Sequence, residues 1–238
     1  MAAELDALLA LQEHDGAIDR LRHRHQTLPE REALARGVAD AAELDVRLAT
    51  VRAERDQVAR EEQRLDDEVR SLGEKATDVE AKMYSGEISS PRELQAMQSD
   101  VEQLRRHQRG LENRELELME TREPLDATVN ELEEHRSVLA GEIDRIRRTL
   151  TEAETVIAAD AKQEREARDA TAAGIDPALV TEYERCRSQT QGVGVARLVG
   201  HTCQGCHLTI PATEVERIKK SAGNPLAFCD NCGAILVP

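Results

Sequence analysis

Aromatic side chains are almost missing from this chain, which has no tryptophan, one phenylalanine and two tyrosines among its 238 residues. Aromatics supply much of the buried area of an ordinary core, so a core here has to be made of Leu, Val, Ile and Ala. That chemistry suits long paired helices, which expose most of their surface and bury only a seam. Long apolar runs are missing as well. No segment approaches the roughly 20 apolar residues of a membrane span. The start, Met1-Ala2-Ala3-Glu4-Leu5-Asp6, lacks the basic and then apolar order of a signal peptide. These absences point to a cytoplasmic protein with no membrane contact. Basic charge is in deficit, with 32 Lys and Arg against 47 Asp and Glu, a formal net charge of −15. An acidic surface repels nucleic acid and anionic lipid and favours solubility or a basic protein partner.

What is present is a period. Alternating steps of three and four from Leu34 pass through Leu44, Leu48, Val51, Val58, Leu65, Val69, Leu72, Val79 and Met83. The same steps from Leu94 pass through Met97, Val101, Leu104, Leu111, Leu118, Leu125, Val129, Leu132, Leu139, Ile143, Ile146, Leu150 and Ile157. A mean spacing of 3.5 keeps the apolar positions on one side of a supercoiled helix, and no β-strand uses it. It also argues against disorder, which acidic, aromatic-poor chains otherwise invite.

Between the two runs, Gly86 is placed to stop one helix. Ser90, Pro91 and Glu93 make a start signal for the next, with a capping serine, a first-position proline and a capping-box glutamate. A short turn between long helices makes them antiparallel neighbours. The spacing therefore predicts a mainly α protein with an antiparallel coiled-coil hairpin over 1–170, its turn near 84–90. A short helix and a small β ribbon are expected over 171–238.

Two prolines punctuate the arms. Pro29 should break the first helix and reset its register, since the upstream seam (Leu11, His14, Ile18, Leu21, His25, Leu28) does not run in phase into Leu34. Pro124 removes a backbone donor inside the second helix and should kink it. Near it the seam turns polar, and counting back from the turn sets Arg55 and Glu62 level with Arg122 and Glu115. Seam charges of this kind control alignment, and a hinge or partner site is the sharper alternative.

Past residue 170 the heptads stop. Asp176 and Pro177 start a short helix to about Ser188, and Gln189 to Gly194 is a loop. Val195–Val199 reads as a strand, Ile210–Lys220 as a short helix and Ala234–Val237 as a final strand.

Cysteine is scarce, five residues in all, yet four are paired in two Cys-x-x-Cys turns. Cys203, Cys206, Cys229 and Cys232 match the tetrahedral thiolate set of one structural zinc ion, and Gly205, Asn231 and Gly233 suit the tight turns such knuckles need. Four thiolates fill the shell and leave no place for a catalytic water. His201 and His207 flank the first pair but are superfluous as ligands. Cys186 is expected to pack beside Val180 and Tyr183, and Phe228 to pack the ribbon beside Cys229.

No catalytic constellation is visible. Gly192-Val193-Gly194-Val195 is too short for a phosphate loop, and the remaining histidines sit on coiled-coil helices. Arg197, Arg217, Lys219 and Lys220 form the one basic group that could touch phosphates, weakly and in a salt-sensitive way, as RNA or DNA binders do.

The loop Tyr84-Ser85-Gly86-Glu87-Ile88-Ser89-Ser90-Pro91-Arg92-Glu93-Leu94 and the ending Cys-Asp-Asn-Cys-Gly-Ala-Ile-Leu-Val resemble a bacterial family of long coiled-coil hairpin proteins with a C-terminal C4-type zinc ribbon. The resemblance covers nearly the whole chain. It implies that the four cysteines hold zinc. It also implies adaptor work in transcription or export, since members bind the sigma-54 factor, flagellar or type III export components and, in one lineage, a flagellin messenger RNA. Secondary-channel regulators of RNA polymerase are similar in architecture only. Their tips carry paired acids, where this tip offers Glu87 alone. The expectation is a non-enzymatic adaptor that meets a protein partner through the tip residues Tyr84, Glu87, Ile88 and Arg92 and through the ribbon. The alternative is a nucleic-acid-binding or polymerase-associated regulator.

Overall fold

The computed structural model describes residues 2–190, 192–221 and 226–238. Gln191 of the expected loop, residues 222–225 of the ribbon's central excursion and Met1 lie outside the described residues. The chain is mainly helical: α1 (Ala2–Gln26), α2 (Pro29–Tyr84), α3 (Pro91–Ala172), α4 (Pro177–Gln189), β1 (Val195–Val199), β2 (Thr202–Cys203), α5 (Ala212–Ser221) and β3 (Ile235–Val237). The long helices are bent and form a hairpin, followed by the small sheet with the ribbon.

The breaks fall where backbone chemistry requires them. Pro29 opens α2 at a position whose N–H needs no helical partner. Thr27 closes α1 by giving both its N–H (3.0 Å) and its hydroxyl (2.9 Å) to His23 O. Gly86, at φ +80°, turns the chain between α2 and α3 through a conformation that side chains disfavour. The Ser85 hydroxyl donates to Lys82 O and accepts from the Glu87 N–H, so the turn satisfies its own backbone. Pro124 lies inside α3, which continues through it. The Asp176 carboxylate caps α4 by accepting from the Ala178 N–H at 2.8 Å, with Pro177 next in line.

Two compact units result, residues 33–146 and residues 1–32 with 147–238. In the first, the heptad residues meet as expected. Leu44 and Leu48 pack with Val129 and Leu132, and Leu65 and Leu72 with Leu111. The register differs from the count out of the turn. Glu62 meets Arg122 at 2.6 Å and Arg55 reaches Asp126 at 3.3 Å, so each contacts a residue further along α3 than its level in the count. Arg136 with Asp45 (2.7 Å), Arg52 with Glu133 (2.6 Å) and Arg105 with Glu80 (2.7 Å) repeat the same alignment along the arms.

The second unit is drawn differently from the sequence boundary at 170, because α1 belongs with the C-terminal elements. Leu5, Leu8 and Leu11 are buried against Ile175, Leu179, Tyr183, Cys186, Val195, Ile235 and Val237. β1 is the centre of a three-stranded sheet, antiparallel to β2 and parallel to β3, with Val195 opposite Ile235 and Arg197 opposite Val237. Alternation along the strands sends Val195, Ile235 and Val237 toward α1 and α4. Ala196, Leu198 and Leu236 go to a second core with Val215 and Ile218 of α5. A sheet covered on both faces explains why β3 reads as an unbroken apolar run.

Candidate metal centre

The zinc-ligand candidates come together as the spacing predicts. The four sulfurs of Cys203, Cys206, Cys229 and Cys232 lie within 4.8 Å of one another, and none of the four is in a disulfide. Cys203 Sγ is 3.9 Å from Cys232 Sγ, and Cys206 Sγ is 3.8 Å from Cys229 Sγ. A tetrahedron with zinc–sulfur bonds of about 2.3 Å has edges of about 3.8 Å, so the donor set fits one zinc ion and closes its shell.

The two turns that aim the sulfurs share one hydrogen-bond pattern. The Cys203 carbonyl accepts from His207 N (2.8 Å) while the Cys203 N–H donates to Leu208 O (3.1 Å). The Cys229 carbonyl accepts from Gly233 N (2.7 Å) while the Cys229 N–H donates to Ala234 O (2.9 Å). His207 and Gly233 are thus equivalent, and both have positive φ, +60° and +75°. The second knuckle gives that position to glycine, whereas the first holds a histidine in the left-handed region. His207 therefore has a backbone role.

Burial pushes the Cys203 thiol up and carries that of Cys232 to about 12, while a bond from the Leu208 backbone N–H lowers Cys206. Buried thiols that resist losing protons need the ion itself to hold them as thiolates. The site's chemistry is therefore retention of the ribbon fold.

Phe228 corrects an expectation. It is 37 % exposed, because Ala227 and Cys229 on either side face the core and alternation turns the residue between them outward. Leu208 and Val199 of the ribbon are also exposed. Cys186 is buried beside Tyr183 as expected, and burial raises its thiol pKa, which makes it a packing residue.

The basic residues of the ribbon are mostly neutralised where they stand. Arg197 pairs with Asp6 at 3.1 Å, Arg217 pairs with Glu214, and Lys220 lies 3.5 Å from Glu216. Lys219 is exposed on the same helix. At the hairpin tip Tyr84 is 86 % exposed, Glu87 and Arg92 are exposed, and Ile88 is half-buried.

A polar cluster that the sequence reading passed over lies in the unit of the ribbon. Asp15 is buried, accepts from the Tyr183 hydroxyl at 2.7 Å and from Arg168 Nε at 3.2 Å, and has Arg187 Nε at 3.7 Å. Arg168 continues to Glu184 and Arg187 to Asp19. Burial, and then the bond to Asp15, raise the pKa of Tyr183. Burial alone would lower that of Arg168, but the bonds to Glu184 and Asp15 raise it. Beside the cluster, Gln12 clamps the loop into β1, donating to Gly192 O (2.8 Å) and accepting from Gly194 N (2.7 Å). That clamp is the structural use of the Gly192-Val193-Gly194 segment. The spacing Leu5, Leu8, Leu11, Asp15 was the available signal, a carboxylate at the next position of a buried face.

Fold and site together define a coiled-coil hairpin protein carrying a C4 zinc ribbon. The chain belongs to the CT398-like coiled coil hairpin domain family, whose model matches residues 11–191, and the C4-type zinc ribbon domain matches residues 202–236. It is 29 % identical over 235 residues to the uncharacterized protein Rv2229c of Mycobacterium tuberculosis, covering 99 % of this chain and 95 % of that one. It is 26 % identical to the uncharacterized protein ML1638 of Mycobacterium leprae, over 93 % of this chain and 94 % of that one. A solved structure from Mycobacterium smegmatis superposes with a TM-score of 0.86 at 28 % identity, covering 100 % of this chain and 99 % of the other. CT398 from Chlamydia trachomatis shares the fold, with a TM-score of 0.66 at 19 % identity over 98 % and 97 % of the two chains. These matches support the hairpin and the ribbon, and they lend no support to the narrower assignment to flagellar and sigma-54 adaptors. Among the described residues, no helix is long and apolar enough to cross a membrane.

Proposed function

We propose that the protein is a non-enzymatic adaptor whose hairpin tip and zinc ribbon contact one protein partner. The observation that carries this reading is Tyr84, one of three aromatics in the chain, set 86 % exposed at the turn of the hairpin. Exposed tyrosine supplies contact area at low entropic cost and is a frequent anchor at interfaces. The exposed Val199, Leu208 and Phe228 give the ribbon an apolar contact chemistry of its own. Zinc holds that surface in place. A partner in the transcription or export machinery is the narrower form of the proposal.

The competing reading, nucleic-acid binding through the ribbon, rests on Arg197, Arg217, Lys219 and Lys220. It is weaker because three of the four already have carboxylate neighbours and the chain's net charge is −15.

A photo-crosslinking amino acid placed in turn at Tyr84, Phe228 and the mid-arm position Val46 tests the proposal in cells. Tyr84 and Phe228 should capture the same protein and Val46 should not. Capture that is equal at all three positions, or absent at the first two, sinks it. RNA or DNA bound at low salt and lost in an Arg217, Lys219 and Lys220 triple alanine variant would transfer the function to the competing reading.

A further inference from the structure

The unit that holds the ribbon also holds a groove between α1 and α3, with a volume of about 360 Å³. Its ends are marked by two contacts between the helices, His14 Nδ1 to Glu164 Oε2 at 2.8 Å and His25 Nε2 to Glu154 Oε1 at 3.9 Å. Between these contacts the helices face each other through Ile18 and Leu21 on one side and Ile157 and Ala161 on the other. Ala158 and Ala161 are the small side chains of the lining. Ile157 and Ala161 are buried in its floor, while Ala158 is exposed at its edge.

The polar lining is all of one kind. Arg22, His25 and Arg165 line the groove and no carboxylate does, in a chain that carries 47 acids against 32 bases. The acids that contact these basic residues also have other cationic partners. Asp19, which meets Arg22 at 2.9 Å, is also held by Arg187. Glu154 is held by Arg31. Arg165 is exposed at the open side.

We propose that this groove binds a single-chain anionic amphiphile, with the aliphatic chain on Ile18, Leu21, Ile157 and Ala161 and the headgroup on Arg165 and Arg22. The volume lies within the roughly 300–1,000 Å³ of small-ligand sites, which are apolar pockets with a few convergent polar groups. Arginine is suited to both carboxylate and phosphate monoester, since its fork donates two parallel bonds to either. The site is independent of the tip and the metal.

Calorimetric titration of the zinc-loaded full chain with decanoate, decyl phosphate, decanol and decyltrimethylammonium, each below its micelle concentration, tests the assignment. Both anions should bind saturably at one site, and the tighter of the two names the headgroup. Decanol should bind more weakly and the cation not at all. Arg165→Glu should weaken the anions roughly tenfold through lost ion pairing, and Ala158→Leu should weaken all ligands by occupying the groove. Both substitutions are at exposed helix positions and keep good helix formers, so the far-ultraviolet signal should not change. If either variant does lose helix, the four-ligand series on the wild type still decides. Equal binding of cation and anions, no saturable anion binding, or full anion affinity in a folded Ala158→Leu variant would overturn the proposal.

Discussion

The Tyr183 hydroxyl donates to Asp15 Oδ2 at 2.7 Å across 168 positions of sequence, joining α4 to α1 inside the unit that carries the zinc. The same carboxylate accepts from Arg168 Nε at 3.2 Å and has Arg187 Nε 3.7 Å away, so one buried anion ties α3 and α4 to α1. Removing it should cost far more than removing one donor. Asp15→Ala leaves the phenol without its acceptor and takes one of the two carboxylates from Arg168, and should destabilise this unit by about 3 kcal/mol, the lower end of the penalty for breaking a buried pair, since Glu184 and Asp19 still hold the two arginines. Tyr183→Phe removes one hydrogen bond and should cost about 1–2 kcal/mol. Urea unfolding of both variants checks the order. Equal losses would mean that the carboxylate does not organise the cluster.

Gly194 approaches the same tyrosine. A Cβ there would lie 2.6 Å from two Tyr183 ring carbons and 2.7 Å from its backbone oxygen, while Gly194 N also donates to Gln12. The ring cannot move away without breaking its bond to Asp15. Gly194→Ala should therefore lower the melting temperature clearly, at the overpacking cost of about 1–3 kcal/mol. Gly110→Ala, where nothing lies near the new methyl group, should be neutral or slightly stabilising through helix propensity. Thermal melts of the pair separate close approach from a general intolerance of substitution.

His207 offers the opposite case. It occupies the position that Gly233 takes in the second knuckle, at φ +60°, with the same hydrogen bond to the carbonyl of the knuckle's first cysteine. His207→Gly should keep zinc and raise the stability of the ribbon by up to about 1 kcal/mol, since glycine adopts this conformation without the steric cost. Zinc content measured against a competing chelator gives the answer. Loss of metal would restore the histidine to the ligand question.

How much of this was legible beforehand depends on the range of the interaction. The heptads, the Pro29 break, the turn at Gly86 and the Asp176 cap are local signals, and each folds as its spacing implies. The four cysteines were legible because metal chemistry fixes both residue type and spacing. The union of α1 with the sheet was not, because Leu5, Leu8 and Leu11 look the same whether they face a coiled-coil partner or a sheet. Asp15 was hidden for a related reason. Among 47 acids, one that is buried has no mark in sequence except its phase with the leucines before it. Phe228 was misplaced because apolar character was weighed above the alternation that Cys229 imposes on its neighbour.

That union changes what zinc removal should do. A ribbon folding independently of the helices would melt by itself, with Cys203→Ser leaving the coiled coil intact. Val195, Ile235 and Val237, however, form one core with α1 and α4, and Ala196, Leu198 and Leu236 form the other core beside the cysteines. Losing the metal should therefore loosen α1 and α4 together with the ribbon, while residues 33–146, a unit with its own leucine clusters, keep their helix. Hydrogen exchange on Cys203→Ser should show faster exchange over 2–26 and 177–237 and unchanged protection near Leu65 and Leu111. Protection kept in α1 would mean that the two cores of the sheet are energetically separate.

The ion pairs of the hairpin yield the sharpest test of register. Glu62 is largely buried, with a side chain 15 % exposed against 35 % for Arg122. A pair at 2.6 Å in such surroundings should show a coupling of about 1 kcal/mol in a double-mutant cycle, at the upper end of the range for partly exposed pairs. Arg55 and Glu115, opposite charges of the same polar stretch, should show none, because Arg55 is held by Asp56 at 2.8 Å and Asp126 at 3.3 Å. Leucine at both 55 and 115 should then give the sum of the single effects, whereas leucine at both 62 and 122 should lose less stability than that sum. The reverse result would place the arms in another register, and every cross-arm pair from Asp45–Arg136 to Glu80–Arg105 would have to shift with it.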